Sequence, residues 1–204
     1  MRREHEPWTP HVLLGLLMSG PRHGYELYQE LENNLGPVWR IGLSQLYLQL
    51  KQMEQAGLVA SHAEAQANRP ARKVYQITKE GREAFLSWLQ QPTPGLRLLR
   101  VEFLLRLYLF HRLSLPGLEQ LVTAQAAVCR TQADRFGQAA AEAGDSFLRL
   151  VYEFRLGQIE AAIHWLDRCL KLDCARLPAS WEGEGKVSSP PGPTARQHGQ
   201  GVTT

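Results

Sequence analysis

Ser44, Gln45, Leu48, Lys51, Gln52 and Gln55 fall on one side of a helix turning 100° per residue, opposite an apolar stripe of Leu43, Leu46, Leu50 and Met53. Amides donate and accept hydrogen bonds at once, a hydroxyl does the same, and the lysine adds a single cation. A face built for solubility carries Glu–Lys pairs instead, so this one suits recognition of a polar surface. Tyr47 sits at the flank of the stripe, where its ring packs and its hydroxyl reaches outward. A second cluster, Arg69, Arg72 and Lys73, gathers three cations within five residues around a turn, a pattern that touches phosphates or stays a solvated patch.

Other combinations are weaker. His164, Cys169 and Cys174 follow one another at five-residue intervals, which is not the spacing of a common zinc site, and the first two lie close to an apolar seam. Ser19, His5 and His11 form no nucleophile–base pattern, and no phosphate-cradling glycine loop, paired carboxylates or nucleophile elbow is found. No catalysis, cofactor or metal is therefore expected. Among five tryptophans, Trp8 and Trp165 are the candidates for lining an aromatic effector pocket, packing being the plainer role for both.

The elements that must position these residues are legible from periodicity and punctuation. "TPHVLLGLLMSG" predicts a first helix with Thr9 as N-cap and Pro10 at its first position. "GYELYQELENNLG" predicts a second, stopped at Gly36-Pro37, and the amide-faced helix is the third, closed by Gly57. "LVASHAEA" and "RKVYQIT", separated by Asn-Arg-Pro turn chemistry, predict a hairpin, and Thr78 caps a fourth helix in which Gly81 costs some propensity. Helix, helix, helix, hairpin, helix is the order of a winged helix-turn-helix.

"QPTPG" at 91–95 reads as a break. Behind it, 96–112 is an almost all-round apolar helix, Ser114 caps a middle helix, and a last helix runs from Asp145. In that last helix Tyr152, Leu156, Ile159, Ile163, Leu166 and Leu170 recur at four, three, four, three, four, a heptad seam that needs a partner helix. The expected fold is mainly α: a winged-helix domain over 1–91, a linker at 92–95, a helical dimerisation region over 96–172 and a Gly/Pro/Ser-rich disordered tail over 173–204.

At this level the residues resemble the PadR family of bacterial transcriptional regulators. The resemblance is carried by "LLGLLMSGPRHGYELYQEL" (13–31), by Trp39 with "SQLYLQLKQMEQAGLV" (44–59), and by "RKVYQITKEGREAFLSWL" (72–89). One departure is Leu48, where the family commonly has a proline. The resemblance implies a homodimeric repressor that binds operator DNA through its winged helix and answers to a small aromatic or cationic effector. On that expectation Gln45 and Gln52 read adenine edges and Ser44 a groove edge or phosphate. Leu48 then meets a thymine methyl, while Arg69, Arg72 and Lys73 form the wing contact. Arg22 and His23 at the start of the second helix are weaker candidates for a phosphate.

Composition bounds the rest. The 204 residues, 44% apolar and 21% charged, belong with globular proteins, and the charge of +3 is too small to act as a general polycation. Residues 1–91 carry ten Lys/Arg against nine Asp/Glu, so any attraction for nucleic acid is local. "LRLLRVEFLLRLYLF" is too short and too charged to span a bilayer, and three cysteines in helical contexts argue for reduced thiols, so a cytoplasmic location and no membrane partner are expected. The rival functions are a winged-helix module that docks a protein on the same face, and a thiol- or metal-based redox sensor.

Overall fold

The structure is a computed structural model that describes residues 7–66 and 69–171, with side chains described outside 65–71. In chain order the elements are α1 (Thr9–Leu17), β1 (Arg22–His23), α2 (Gly24–Leu35), α3 (Leu43–Gln55), β2 (Val59–Gln66), β3 (Arg69–Ile77) and α4 (Lys79–Leu89). There follow α5 (Leu96–Leu98), a π-helical turn (Leu99–Phe103), α6 (Leu104–Arg112), α7 (Leu118–Glu142) and α8 (Ser146–Lys171). A mainly helical fold with a small antiparallel sheet results.

Two caps differ from expectation. Helix α1 begins at Thr9, so the capping position falls on Trp8 and Thr9 is buried as the first helical residue. Ser114 does not cap α7; it sits in a turn with φ of 49°, and Gly117, with φ of 107°, starts the helix because a left-handed residue there favours glycine. Thr78 does cap α4, its Oγ1 accepting from the Gly81 N–H at 3.0 Å. The glycine at 81 is forced by a crossing rather than by helix preference: a Cβ there would lie 2.0 Å from the Leu58 carbonyl oxygen.

The hairpin forms, with Val59 opposite Ile77 and Ser61 opposite Tyr75 and an irregularity between Glu64 and Gln66, but β3 begins at Arg69, so Arg69 and Pro70 of the expected turn belong to the strand. Its third strand was not legible. Arg22 and His23 pair with Tyr75 and Val74, so the sheet order is β1-β3-β2 and the start of α2 is hydrogen-bonded to the wing. A two-residue strand has no periodicity of its own; the pairing defines it.

One apolar core runs through both halves of the chain. Leu13, Leu14 and Leu17 of α1, Leu46 and Leu50 of α3 and Phe85 of α4 join Phe103, Leu105 and Leu109 of the π turn and α6. Gly15 is the point of closest approach, since a Cβ there would meet Leu109 at 2.7 Å and Phe85 at 2.8 Å. Within the expected linker, side chains of the second half hold the backbone. Thr93 is fully buried, its N–H donating to Gln125 Oε1 at 2.6 Å while Gln125 Nε2 donates back to the Thr93 carbonyl at 3.1 Å. Arg106 donates to the Gln91 carbonyl, and Gln132 Nε2 to that of Pro94 at 2.6 Å. Pro and Gly marked a turn correctly, but α7 supplies side-chain amides that dock the turn. The expected tail, including Cys174 and Trp181, lies outside the described residues, among which no helix is long and apolar enough to cross a membrane.

Candidate nucleic-acid interface

Helix α3 is seated by Leu46, Gln49, Leu50 and Met53, all buried, at spacings of three, one and three. This stripe is rotated from the expected one. Leu43 is 37% exposed in the first turn, and Gln49 occupies a core position, its Nε2 donating to Gln52 Oε1 at 3.2 Å. The rotation leaves Ser44, Gln45, Leu48, Lys51, Gln52 and Gln55 exposed together, as expected, with Leu43 added at the N-terminal end. Leu48 is 47% exposed among amides. Tyr47 is also exposed, and its ring lies against the first turn of α2, where a Cβ on Gly24 would meet Cε1 at 2.6 Å. Glycine at 24 is thus what lets the tyrosine lie flat on α2.

Beside α3 the sheet builds a cleft of about 400 Å³, lined by His23, Gly24 and Tyr25 of the α2 start, by Tyr47, and by Arg72 and Lys73 of β3. The predicted cations differ in what they do there. Arg72 is exposed on the wing. The side chain of Arg69 lies outside the described residues, although its backbone opens β3. Lys73 turns toward α3, its Nζ 2.6 Å from Glu54 Oε2, and the other oxygen of that carboxylate accepts from the Ser61 hydroxyl. The lysine hydrogen bond, then that from Ser61, holds Glu54 below the usual carboxylate range, and the same bond pushes Lys73 up.

Arg22 is paired with Glu30 of α2, which also takes Arg112 at 3.3 Å. His23 Nε2 lies 3.2 Å from Glu64 of β2, and the His23 N–H donates to Glu26 at 2.9 Å, closing the start of α2. Neither residue presents the open helix terminus that the sequence suggested.

Trp8 and Trp165 are not brought together. Trp8 shares an open cleft of about 410 Å³ with Trp39, Arg97, Leu98, Arg100 and Val101, whereas Trp165 stands edge-on to Phe103 with centroids 6.1 Å apart. The heptad seam of α8 turns inward. Ile159 and Leu166 are buried, Tyr152, Leu156 and Ile163 are partly covered, and only Leu170 is exposed. The covering helix is α7, which packs along α8, with Phe136 against Tyr152 at 6.2 Å and Arg130 joined to Asp167 at 2.9 Å. A second stripe on α8 was missed: Phe147 (72% exposed), Leu150 and Phe154 (67% exposed) recur at three and four, a spacing legible in the sequence beside the longer seam.

Residues 13–87 match the family described as transcriptional regulator PadR-like, and residues 99–172 match that described as virulence activator alpha C-term. The chain is 29% identical over 104 residues to the negative transcriptional regulator PadR of Bacillus subtilis (strain 168), covering 51% of this chain and 57% of that protein. It is 32% identical over 83 residues to the probable transcriptional regulator Rv1176c of Mycobacterium tuberculosis (strain ATCC 25618 / H37Rv), covering 41% and 44%. The chain thus spans about half the length of the curated relatives it matches. Among solved structures, Bacillus subtilis PadR in complex with operator DNA superposes with a TM-score of 0.44 at 22% identity, over 83% of this chain and 99% of that one.

Proposed function

The chain belongs to the PadR-like family of transcriptional regulators, and from that premise we propose that it binds double-stranded DNA as a homodimeric repressor released by a small effector. The observation that carries the reading is the uncovered face of α3. A helix whose inner side is fully buried leaves Ser44, Gln45, Leu48, Lys51 and Gln52 to solvent, at the edge of a sheet whose exposed Arg72 lies on the same side. Glutamine amides match the donor–acceptor pair of an adenine edge, and an exposed leucine between them matches a thymine methyl in the major groove. Arg72, with Arg69 at the turn, supplies phosphate contacts that fix register. Repression is the sign proposed because the Bacillus subtilis relative is named a negative regulator.

The dimer contact is assigned to Phe147, Leu150 and Phe154. They form an apolar stripe left in water on a helix whose other side is already packed, and a second copy buries it best by presenting the same stripe across a two-fold axis. The effector site is assigned to the cleft between Trp8 and Trp39, with Trp165 left to packing. Arg97 and Arg100 on its rim disfavour a cation and favour a neutral or anionic aromatic molecule.

The test is selection of duplexes from a random pool by the purified chain, followed by fluorescence anisotropy on the winners. The expected result is a specific affinity at least a thousandfold above that for unrelated duplex at about 150 mM salt. A chain that enriches nothing and binds all duplexes equally would sink the reading.

A further inference from the structure

The wing does not offer all its cations equally. Lys73 stands on β3 facing α3, where the Glu54 carboxylate meets its ammonium at 2.6 Å. Glu54 is no loosely hung partner. Ser61, on β2, donates its hydroxyl to the second carboxylate oxygen, so one side chain of the reading helix is tied to both strands of the hairpin. Lys73 also lies over the Tyr75 ring, 5.4 Å from its centroid, which keeps the butylammonium chain folded against the sheet. Arg72, the adjacent residue, lines the same cleft and is exposed.

We infer that Glu54 is a positioning residue: it holds Lys73 against α3 and withholds that lysine from the DNA phosphates. The inference rests on the DNA-binding reading above. Its physical content is a difference between two kinds of affinity. A phosphate contact strengthens binding to every sequence alike, because it acts through release of counterions, whereas base contacts discriminate. Neutralising Lys73 internally lowers the general attraction for DNA and leaves the amide face of α3 with a larger share of the binding. The opposed perturbations of the two groups, the carboxyl held low and the ammonium held high, agree with the contact.

Glu54→Gln tests it, since glutamine is isosteric, can still accept from Ser61 and leaves Lys73 without a counter-charge. The affinity for a selected duplex and for an unrelated duplex is measured between 50 and 200 mM salt for the wild-type chain, Glu54→Gln and the double variant Glu54→Gln/Lys73→Gln. Thermal melts followed by circular dichroism accompany each protein. With Lys73 released to a phosphate, Glu54→Gln should steepen the salt slope by about 0.9, an extra loss of affinity of roughly 3.5-fold over that salt range. Selected and unrelated duplexes should gain affinity alike at low salt, their ratio staying at the wild-type value, and the double variant should return the slope to the wild-type value. An unchanged slope in folded Glu54→Gln, or a steepening that survives in the double variant, overturns the inference. If the wild-type chain shows no salt-dependent affinity for either duplex, the DNA-binding reading fails first and this one with it.

Discussion

Helices α3 and α8 are each packed on one side and open on the other, yet their open sides are built in opposite ways. On α3 the exposed Leu48 lies among Gln45, Lys51 and Gln52, with the exposed Leu43 and Tyr47 at the flank, so amides and a lysine interrupt the apolar area. On α8 Phe147, Leu150 and Phe154 follow one another along a single stripe. Apolar side chains set among amides suit a surface that is itself mostly polar, with single apolar points, as the floor of the major groove is. A continuous stripe suits another stripe. The lesson is that exposure of large apolar residues is informative through their arrangement, since scattered ones are ordinary on any surface.

The comparison breaks most visibly if the α8 stripe is charged. Phe147→Glu with Phe154→Glu should give a folded monomer in analytical ultracentrifugation, because neither side chain is in the core. Its affinity for a two-half-site duplex should drop by about 10² to 10⁴-fold as the second contact stops being intramolecular. Ile159→Glu is the contrasting change: it buries a charge between α7 and α8 and should lower stability itself, by several kcal/mol, seen as an earlier urea midpoint. Should the stripe variant unfold and the Ile159 variant stay intact, the two sides of α8 have been exchanged.

On α3 the effects are smaller and selective. Leu48→Ala should cost about 1 to 3 kcal/mol on a selected duplex, and replacing one thymine by deoxyuridine should reproduce the loss in the wild-type chain but add nothing in the variant. Equal losses with and without the methyl would remove Leu48 from base reading. Arg72→Gln should weaken selected and unrelated duplexes alike and lower the salt slope by about 0.9.

The smallest effect is one of pH. His11 stacks on Trp88, with centroids 5.1 Å apart, close to the Arg106–Glu102 ion pair. Burial, chiefly, and the Arg106 cation hold its pKa below the usual histidine value of 6.5. A lowered folded pKa means that the unfolded chain binds the proton more readily, so stability is full above pH 6.5 and declines as pH falls through the folded value. The urea midpoint should decrease from pH 7 to pH 5, and His11→Phe, which keeps the stack, should flatten part of that dependence.

Much of the winged half was legible because its signals are local: Pro10, the Thr78 cap and Gly57 each act within a few residues. What escaped depends on distant partners. Strand β1 exists only by pairing with β3, fifty residues away in the chain. Gln125 and Thr93 are unremarkable polar residues until α7 folds back over the turn. The α3 stripe was misplaced by one position because a leucine at 43 looks more like core than a glutamine at 49, and only the packing of the α3 start decides between them. The seam on α8 was read correctly as needing a helix, but periodicity cannot say whether that helix belongs to the same molecule, and α7 is the nearer supplier.

The π turn at Leu99–Phe103 has a bearing on how this chain can change length. Such a turn carries one residue more than an α-helix of the same rise, and that surplus advances everything after it by about 100° around the axis. Glu102 accepts from Trp88 at 2.8 Å and pairs with Arg106 at 2.6 Å inside the core, so the surplus residue fixes the rotational phase at which the second half of the chain meets the first. Deleting a single residue from this segment would relax it to an ordinary helix without breaking it, and would leave every downstream side chain facing a neighbour meant for another. Loops elsewhere tolerate insertions and losses; here one codon is an indivisible unit of alignment.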